Sequence, residues 1–224
     1  MITDIESLNK KILLCKNCKR LVNFREKVAK EKRKQYIDET YWGKPITGFG
    51  DINAELLIIG LAPAAHGANR TGRVFTGDKS SDFLYKCLHK CKISNLKRSS
   101  SKNDSLKLKN TYITLALKCL PPKDKPTSEE LKNCFKFFKK EIEILKNVKV
   151  ILTLGKIAFD SCISFFNLEK KSYVFKHGNL YKIGDDLAIM ASYHPSPRNV
   201  NSKRIDEEKM IKVIKNTKKF INHI

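Results

Sequence analysis

The chain has 224 residues, with 45 Lys and Arg against 23 Asp and Glu, a formal net charge of +22 and 41% hydrophobic residues. That length suits one α/β domain with its own core, and apolar runs at residues 56–61 and 148–154 bury enough surface to exclude a disordered chain. No apolar stretch approaches the roughly 18 residues of a membrane span and residues 1–11 lack a signal peptide's apolar centre, so a cytoplasmic, reducing setting is expected, where seven cysteines read as thiols or metal ligands.

The charge excess points to a polyanionic partner, of which nucleic acid is the commonest. Lysines outnumber arginines 37 to 8, so part of the excess is ordinary solvated surface. Residues 79–149 hold 18 basic and 7 acidic side chains, which puts half of the net charge in about a third of the chain.

In chain order, residues 5–34 carry the pair Cys15-x-x-Cys18 and then a charged stretch, 24–34, that predicts an exposed helix. A connector rich in turn residues follows at 42–51. Residues 54–59 form an apolar run too short for a helix, a buried strand of the parallel type, which stops at Gly60. A long loop, 61–79, leads to a helix capped by Ser80 or Ser81 and running to about Cys91; loops of this length in compact domains are usually functional. The polar tract 96–110 reads as a mobile surface insertion, and 111–116 as a second strand.

Thr127-Ser-Glu-Glu is a capping box opening a helix with Leu131, Cys134 or Phe135, Phe138, Ile142 and Leu145 on its inner face. Residues 148–154 are a third strand, and Gly155 leads into a helix to about Phe166. Residues 173–175 and 180–183 predict a hairpin about His177-Gly178-Asn179. The last strand, 187–192, ends at Tyr193-His194-Pro195-Ser196-Pro197-Arg198-Asn199, and a helix at about 205–221 follows. Strands alternating with helices predict one open, mainly parallel four-stranded α/β sheet. Ligands of such sheets bind at the carboxyl ends of the strands, where both unusual loops begin.

The small residues after Gly60 let backbone N–H groups approach a planar base or an oxyanion. The loop lacks the Gly-Lys-Ser/Thr of a phosphate-binding loop and the Gly-x-Gly-x-x-Gly of dinucleotide sites. An ordinary turn is the competing reading. Phe75, in a polar context flanked by glycines, suits a stacking platform. Asp78 could orient a water or cap the next helix, and taken alone it reads as a cap. A lone histidine is more often structural, but His194 follows a strand and precedes stiffened backbone, which suits a donor to a leaving group, with Ser196 and Arg198 facing a phosphate backbone. Cys15, Cys18, Cys119 and Cys134 could supply four thiolates to zinc or to an iron-sulfur cluster, and spacing does not separate these. Cys87, Cys91 and Cys162 fall at helical positions and read as buried thiols.

At these residues the chain resembles the type-5 uracil-DNA glycosylases. The resemblance rests on residues 60–78, on His194-Pro-Ser-Pro-Arg-Asn199, and on Cys119-Leu-Pro-Pro followed by Lys125-Pro-Thr and Cys134. It implies a single-domain three-layer α/β/α fold over residues 1–224, with the Cys-containing segment 1–50 packed on it. It also implies a monomeric DNA repair enzyme that hydrolyses the N-glycosidic bond of a flipped deaminated base, uracil or others such as hypoxanthine. The implied catalytic residues are Asp78, orienting water at C1′, and His194, donating to the base. Gly60, Leu61, Ala62, His66 and Phe75 are the implied base-binding set, and Ser196, Arg198 and Asn199 the DNA contacts. A structural 4Fe-4S cluster on Cys15, Cys18, Cys119 and Cys134 is implied in preference to zinc. Leu61 stands where type-4 relatives carry an acid. Asp124 departs from the asparagine often found in the family at that place. A non-catalytic DNA-binding metal module is the alternative.

Overall fold

The structure is a computed structural model and describes residues 4–223. Its six strands are β1 (Phe49–Gly50), β2 (Leu56–Gly60), β3 (Thr111–Leu115), β4 (Val150–Leu154), β5 (Leu180–Lys182) and β6 (Ala188–Ser192). They form one sheet in the order β1-β3-β2-β4-β6-β5. The four central strands are parallel and buried at every residue. They are continuous apolar runs because a sheet covered on both faces offers no wet side.

The expected four-stranded sheet is therefore extended by two short antiparallel edges: β1, which sequence pattern did not reveal, and β5, which was expected at 180–183 but with residues 173–175 as its partner. β1 lies inside the glycine-rich connector and pairs with β3. β5 pairs with β6, and residues 173–175 form no strand, so the hairpin turns at 183–187, where Ile183 N–H donates to Leu187 O (2.9 Å). Residues 173–175 instead supply rings: Tyr173 packs on Tyr181 and Phe175 on Phe159. Aromatic packing decides this segment, and an apolar triplet reads the same in either role.

The helices are α1 (Ile5–Leu13), α2 (Lys19–Glu31), α3 (Ala68–Thr71), α4 (Lys79–Lys90), α5 (Ser128–Ile144), α6 (Lys156–Phe165), α7 (Pro197–Asn201) and α8 (Glu207–Ile221). Alternate strand residues serve opposite faces. Leu56 and Ile58 share a core with Leu84, Leu88, Val213 and Ile214 of α4 and α8. Leu57 and Ile59 share the other with Phe138, Ile142, Phe159 and Cys162 of α5 and α6. The result is the three-layer α/β/α arrangement. Helix α2 starts five residues before the charged stretch, because Leu21 is needed in a third cluster with Leu117 and Cys134. The capping box at Thr127 is present as read, with Glu130 closing it.

The insertion at 96–110 is not a free appendage. Ser99 is fully buried, and Arg73 from the long loop reaches into the insertion to donate to the Ser99 hydroxyl. Among the described residues no helix is long and apolar enough to cross a membrane. From β2 the chain runs to β3 on one side and then crosses to β4 on the other. The carboxyl ends on either side of that reversal part to leave a crevice.

Candidate active site and cysteine cluster

A cavity of about 380 Å³ occupies this crevice, within the usual range for small-molecule sites. Leu61, Ala62, Phe75, Leu115 and Leu154 give it apolar walls, and its charged or basic side chains are Asp78, Asp124, Lys156 and His194. Ser196 also lines it. Residues from the ends of all four parallel strands thus converge, which no local stretch of sequence encodes.

Asp78 fills the capping role considered for it and also lines the cavity. It is the N-cap of α4: Oδ1 accepts from Ser81 N–H (2.9 Å), and Ser81 Oγ accepts from Asp78 N–H (3.1 Å). The cap is Asp78 itself, not Ser80 or Ser81. Its other oxygen, Oδ2, lies against Gly67, where any Cβ would collide with it. Burial raises the Asp78 pKa, opposed by N–H bonds from Ser81 and Ser80. One carboxylate is thereby held in a single rotamer by a cap while it lines the cavity.

His194 leaves the end of β6 and is held by Asn199, whose Nδ2 donates to His194 O (2.9 Å). Burial pushes the imidazole pKa down to about 4, so the ring is neutral near pH 7, with one N–H donor and one lone pair. Phe75 stacks on it at 6.0 Å between centroids and 30° between planes. Phe75 has φ +46°, a left-handed conformation that an aromatic residue rarely adopts. Its ring covers Gly60, where a Cβ would come within 2.8 Å. Strand end, aromatic ring and imidazole therefore form one stack.

Two arginines that sequence reading passed over secure this loop. Arg70 donates from Nε to His66 O (2.7 Å), from Nη2 to Gly77 O (2.8 Å) and from Nη1 to Glu39 (2.5 Å). Arg73 pairs with Asp104 of the insertion and donates to Ser99 Oγ (2.6 Å), Thr76 Oγ1 (3.1 Å) and Lys102 O (3.3 Å). Gly77 N–H donates to Ser99 O (2.9 Å). The residue next to Asp78 is thus gripped through both its carbonyl and its N–H. Arginines within a glycine-rich loop were the available signal, since charged side chains are rarely buried unless paired.

The other expected site residues separate. Leu61 and Ala62 line the cavity, and Gly60 lies beneath Phe75. His66 sits outside it, with Nδ1 3.0 Å from Tyr41 OH. Ser196 caps α7, Arg198 is exposed, and Asn199 is turned inward to His194.

Cys15, Cys18, Cys119 and Cys134 surround a second, small cavity lined by Leu21 and Phe137, and all four are free thiols. N–H groups face three of the sulfurs: Arg25 Nη1 to Cys119 (3.2 Å), the Lys118 backbone to Cys134 (3.3 Å) and Asn133 Nδ2 to Cys18 (3.8 Å). Arg25 is buried and its Nε has no partner among the described residues. Burial pushes the thiol pKa of Cys119 up to about 11 and of Cys134 up to about 12. Among the described residues no three His, Cys, Asp or Glu side chains converge to hold a single metal ion. Four thiols ringed by N–H donors, with an orphaned buried guanidinium N–H beside them, suit a thiolate-bound centre carrying further acceptor atoms. Cys87, Cys91 and Cys162 lie in the two main cores.

Behind this cluster lies a buried ion pair that sequence reading also missed. Lys118 Nζ bonds Glu141 Oε2 and Thr114 Oγ1, each at 2.6 Å, and both charged side chains are 2% exposed or less. The backbone here also joins the two sites, because Leu117 N–H donates to Leu61 O (2.8 Å) on the cavity wall.

The family model described as the uracil DNA glycosylase superfamily matches residues 47–218. A type-5 uracil-DNA glycosylase of Thermus thermophilus is 41% identical over 217 residues, covering 97% of this chain and 98% of the relative. One from Pyrobaculum aerophilum is 40% identical over 205 residues (92% and 88%), and one from Mycobacterium leprae 37% over 219 (97% and 96%).

Proposed function

This chain belongs to the type-5 uracil-DNA glycosylases of the uracil-DNA glycosylase superfamily, and we propose that it hydrolyses the N-glycosidic bond of uracil, and of other deaminated bases such as hypoxanthine, in DNA to leave an abasic site. The observation that carries this reading is the meeting of Asp78, Phe75 and His194 in one cavity at the strand ends. Breaking the C1′–N bond leaves positive charge on the sugar and negative charge on the departing base. Asp78, with Oδ1 committed to its cap, uses Oδ2 to orient the attacking water and to favour the cationic sugar. His194, neutral, donates its N–H to the base oxygen that gains charge; a neutral imidazole gives up no proton to the solvent while it waits. Phe75 stacks on the flipped base.

Ser196 at the cavity wall and exposed Arg198 contact the strand, and Asn199 serves them by bracing the His194 carbonyl. Cys15, Cys18, Cys119 and Cys134 hold a structural 4Fe-4S cluster, with Arg25, Asn133 and the Lys118 N–H donating to their sulfurs. When bound, the cluster ties the segment before α2 to the exit of β3 and to α5; hydrolysis needs no redox step. The protein acts as a monomer wherever the genome is.

The test is release of free base from duplexes carrying one uracil or one hypoxanthine, with iron and visible absorbance measured on the same sample. Uracil release by a brown, iron-containing protein is expected. DNA binding without base release by a sample whose cysteine site is loaded would replace this reading with a non-catalytic module. A colourless, zinc-containing active protein would overturn the cluster assignment alone.

A further inference from the structure

Strand β6 ends at Ser192, and Tyr193 carries the chain out of the sheet to His194 at the cavity wall. A chain that leaves a sheet loses its ladder partners, and its peptide groups must find others. Three successive peptides around His194 do so. In the first, Ser192 O accepts from Gly155 N–H (2.8 Å) at the end of β4, and Tyr193 N–H donates to His177 Nδ1 (3.2 Å). In the second, Tyr193 O accepts from Ser192 Oγ (3.0 Å), and in the third His194 O accepts from Asn199 Nδ2 (2.9 Å). Ser192 and Asn199 belong to the same exit as His194. Among these partners Gly155 and His177 tie that exit to the rest of the sheet, and His177 does so through its side chain.

His177 stands sixteen residues before Tyr193, in the segment leading to β5. Gly178, at φ +83°, takes a left-handed step that a glycine makes without steric cost. Its N–H donates to Ala191 O (2.7 Å), and Ala191 N–H donates to Asn179 O (2.9 Å). These bonds continue the pairing of β5 with β6 and bring the imidazole to the strand end. The ring lies nearly parallel to Tyr193, with 5.2 Å between centroids and 9° between planes, and Phe175 packs edge-on against the same tyrosine at 5.8 Å. Nδ1 accepts a hydrogen bond only when it carries no proton, so the proton of the neutral ring is on Nε2. At the start of α8, Lys209 and Asp206 act on the ring with opposite charges; burial and Lys209 prevail and hold its pKa below the ordinary value.

Resting on the glycosylase reading above, in which His194 donates to the departing base, we infer that His177 is a positioning residue: its Nδ1 holds the Tyr193 N–H and thereby fixes the direction in which the chain presents the His194 imidazole. A donor aimed at charge that develops in the transition state acts through its placement, and a displacement of about 1 Å can cost as much as a hundredfold in rate. His177 does not line the cavity, so its removal should slow the chemical step and leave the binding of DNA alone.

Two substitutions separate the acceptor from the ring. His177→Asn keeps an acceptor oxygen near the place of Nδ1 and loses the ring; His177→Phe keeps a ring to stack on Tyr193 and loses the acceptor. Thermal melting checks that both are folded. Single-turnover release of uracil from saturating duplex is expected to fall about tenfold or more in His177→Phe and to stay within about threefold of the wild type in His177→Asn, with DNA affinity unchanged in both. Amide exchange at Tyr193 should quicken in His177→Phe and not in His177→Asn, and the imidazole nitrogen shifts of the wild type at pH 7 should place the His177 proton on Nε2. A wild-type rate in His177→Phe, equal losses in both variants, a loss confined to DNA affinity, or a proton on Nδ1 would overturn the assignment. Failure of the wild type to release uracil would instead overturn the glycosylase reading, while Tyr193 exchange and the nitrogen shifts still decide whether His177 holds the strand end.

Discussion

Asp78→Asn separates the two tasks of one carboxylate. An asparagine Oδ1 still accepts from Ser81 N–H, so the cap on α4 survives. The charge, whose burial raises the Asp78 pKa, is removed. For an acid whose folded pKa lies above its unfolded value, the folded state binds the proton more tightly, so stability falls as pH rises through that window. At pH 7 the ionised side chain therefore costs stability, and Asp78→Asn should melt at or above the wild type. Asp78→Ala removes the same charge and also the cap, which contributes about 1 kcal/mol, or roughly 2–4 °C for a chain of this size. Both variants should lose about 10²–10⁴ in single-turnover uracil release, the usual range for a positioned acid-base group, with DNA affinity nearly unchanged. Calorimetry at pH 7 and near pH 4, beside quenched-flow release of base, gives both quantities; the wild type should gain on Asp78→Asn as Asp78 protonates. A melting point for Asp78→Asn as low as that of Asp78→Ala, or activity within tenfold of wild type, would refute the reasoning.

Two further outcomes follow from the same geometry. The rate of uracil release should rise with pH as Asp78, whose pKa burial raises, ionises, and it should not fall across about pH 6–8, because the His194 pKa of about 4 leaves its ring neutral there; a fall across that range that disappears in His194→Gln would show an imidazolium at work instead. Asp104→Ala removes the acid paired with buried Arg73, and should cost about 2 kcal/mol, less than the full loss for a broken buried pair because Ser99, Thr76 and Lys102 O still accept. Denaturant melts measure that loss, and faster amide exchange at Gly77, the residue gripped by Ser99, with slower uracil release, checks its route into the site.

Much of the fold was legible because its signals are local. The apolar runs of β2, β3, β4 and β6 exceed what a half-wet strand would carry, and the Thr127 box marks a helix start through contacts three residues apart. Of the edge strands, β1 was not legible because it has two residues; β5 was legible as a hairpin arm but not its partner, since residues 173–175 compete with β6 for it and only packing of Tyr173 and Phe175 decides. The insertion read as mobile because its polar composition is that of a loop. Its order comes from Arg73, 26 residues from Ser99 and 31 from Asp104.

The sequence by itself determined the alternating α/β order, the two loops at the strand ends, and the residue types that chemistry would need: an acid, an imidazole, an aromatic ring and four thiols. Tertiary structure alone decided their states and company. Neutral His194 and raised Asp78 depend on desolvation by residues far away in the chain, and the left-handed Phe75 meets Gly60 and the imidazole only where two strand ends come together. It also set His66 against Tyr41, turned Asn199 to the His194 carbonyl and brought Asp124 to the cavity wall. Burial, charge and hydrogen-bond partnership are set by what surrounds a side chain, and for this site those surroundings come from four strand ends that meet only in the folded chain.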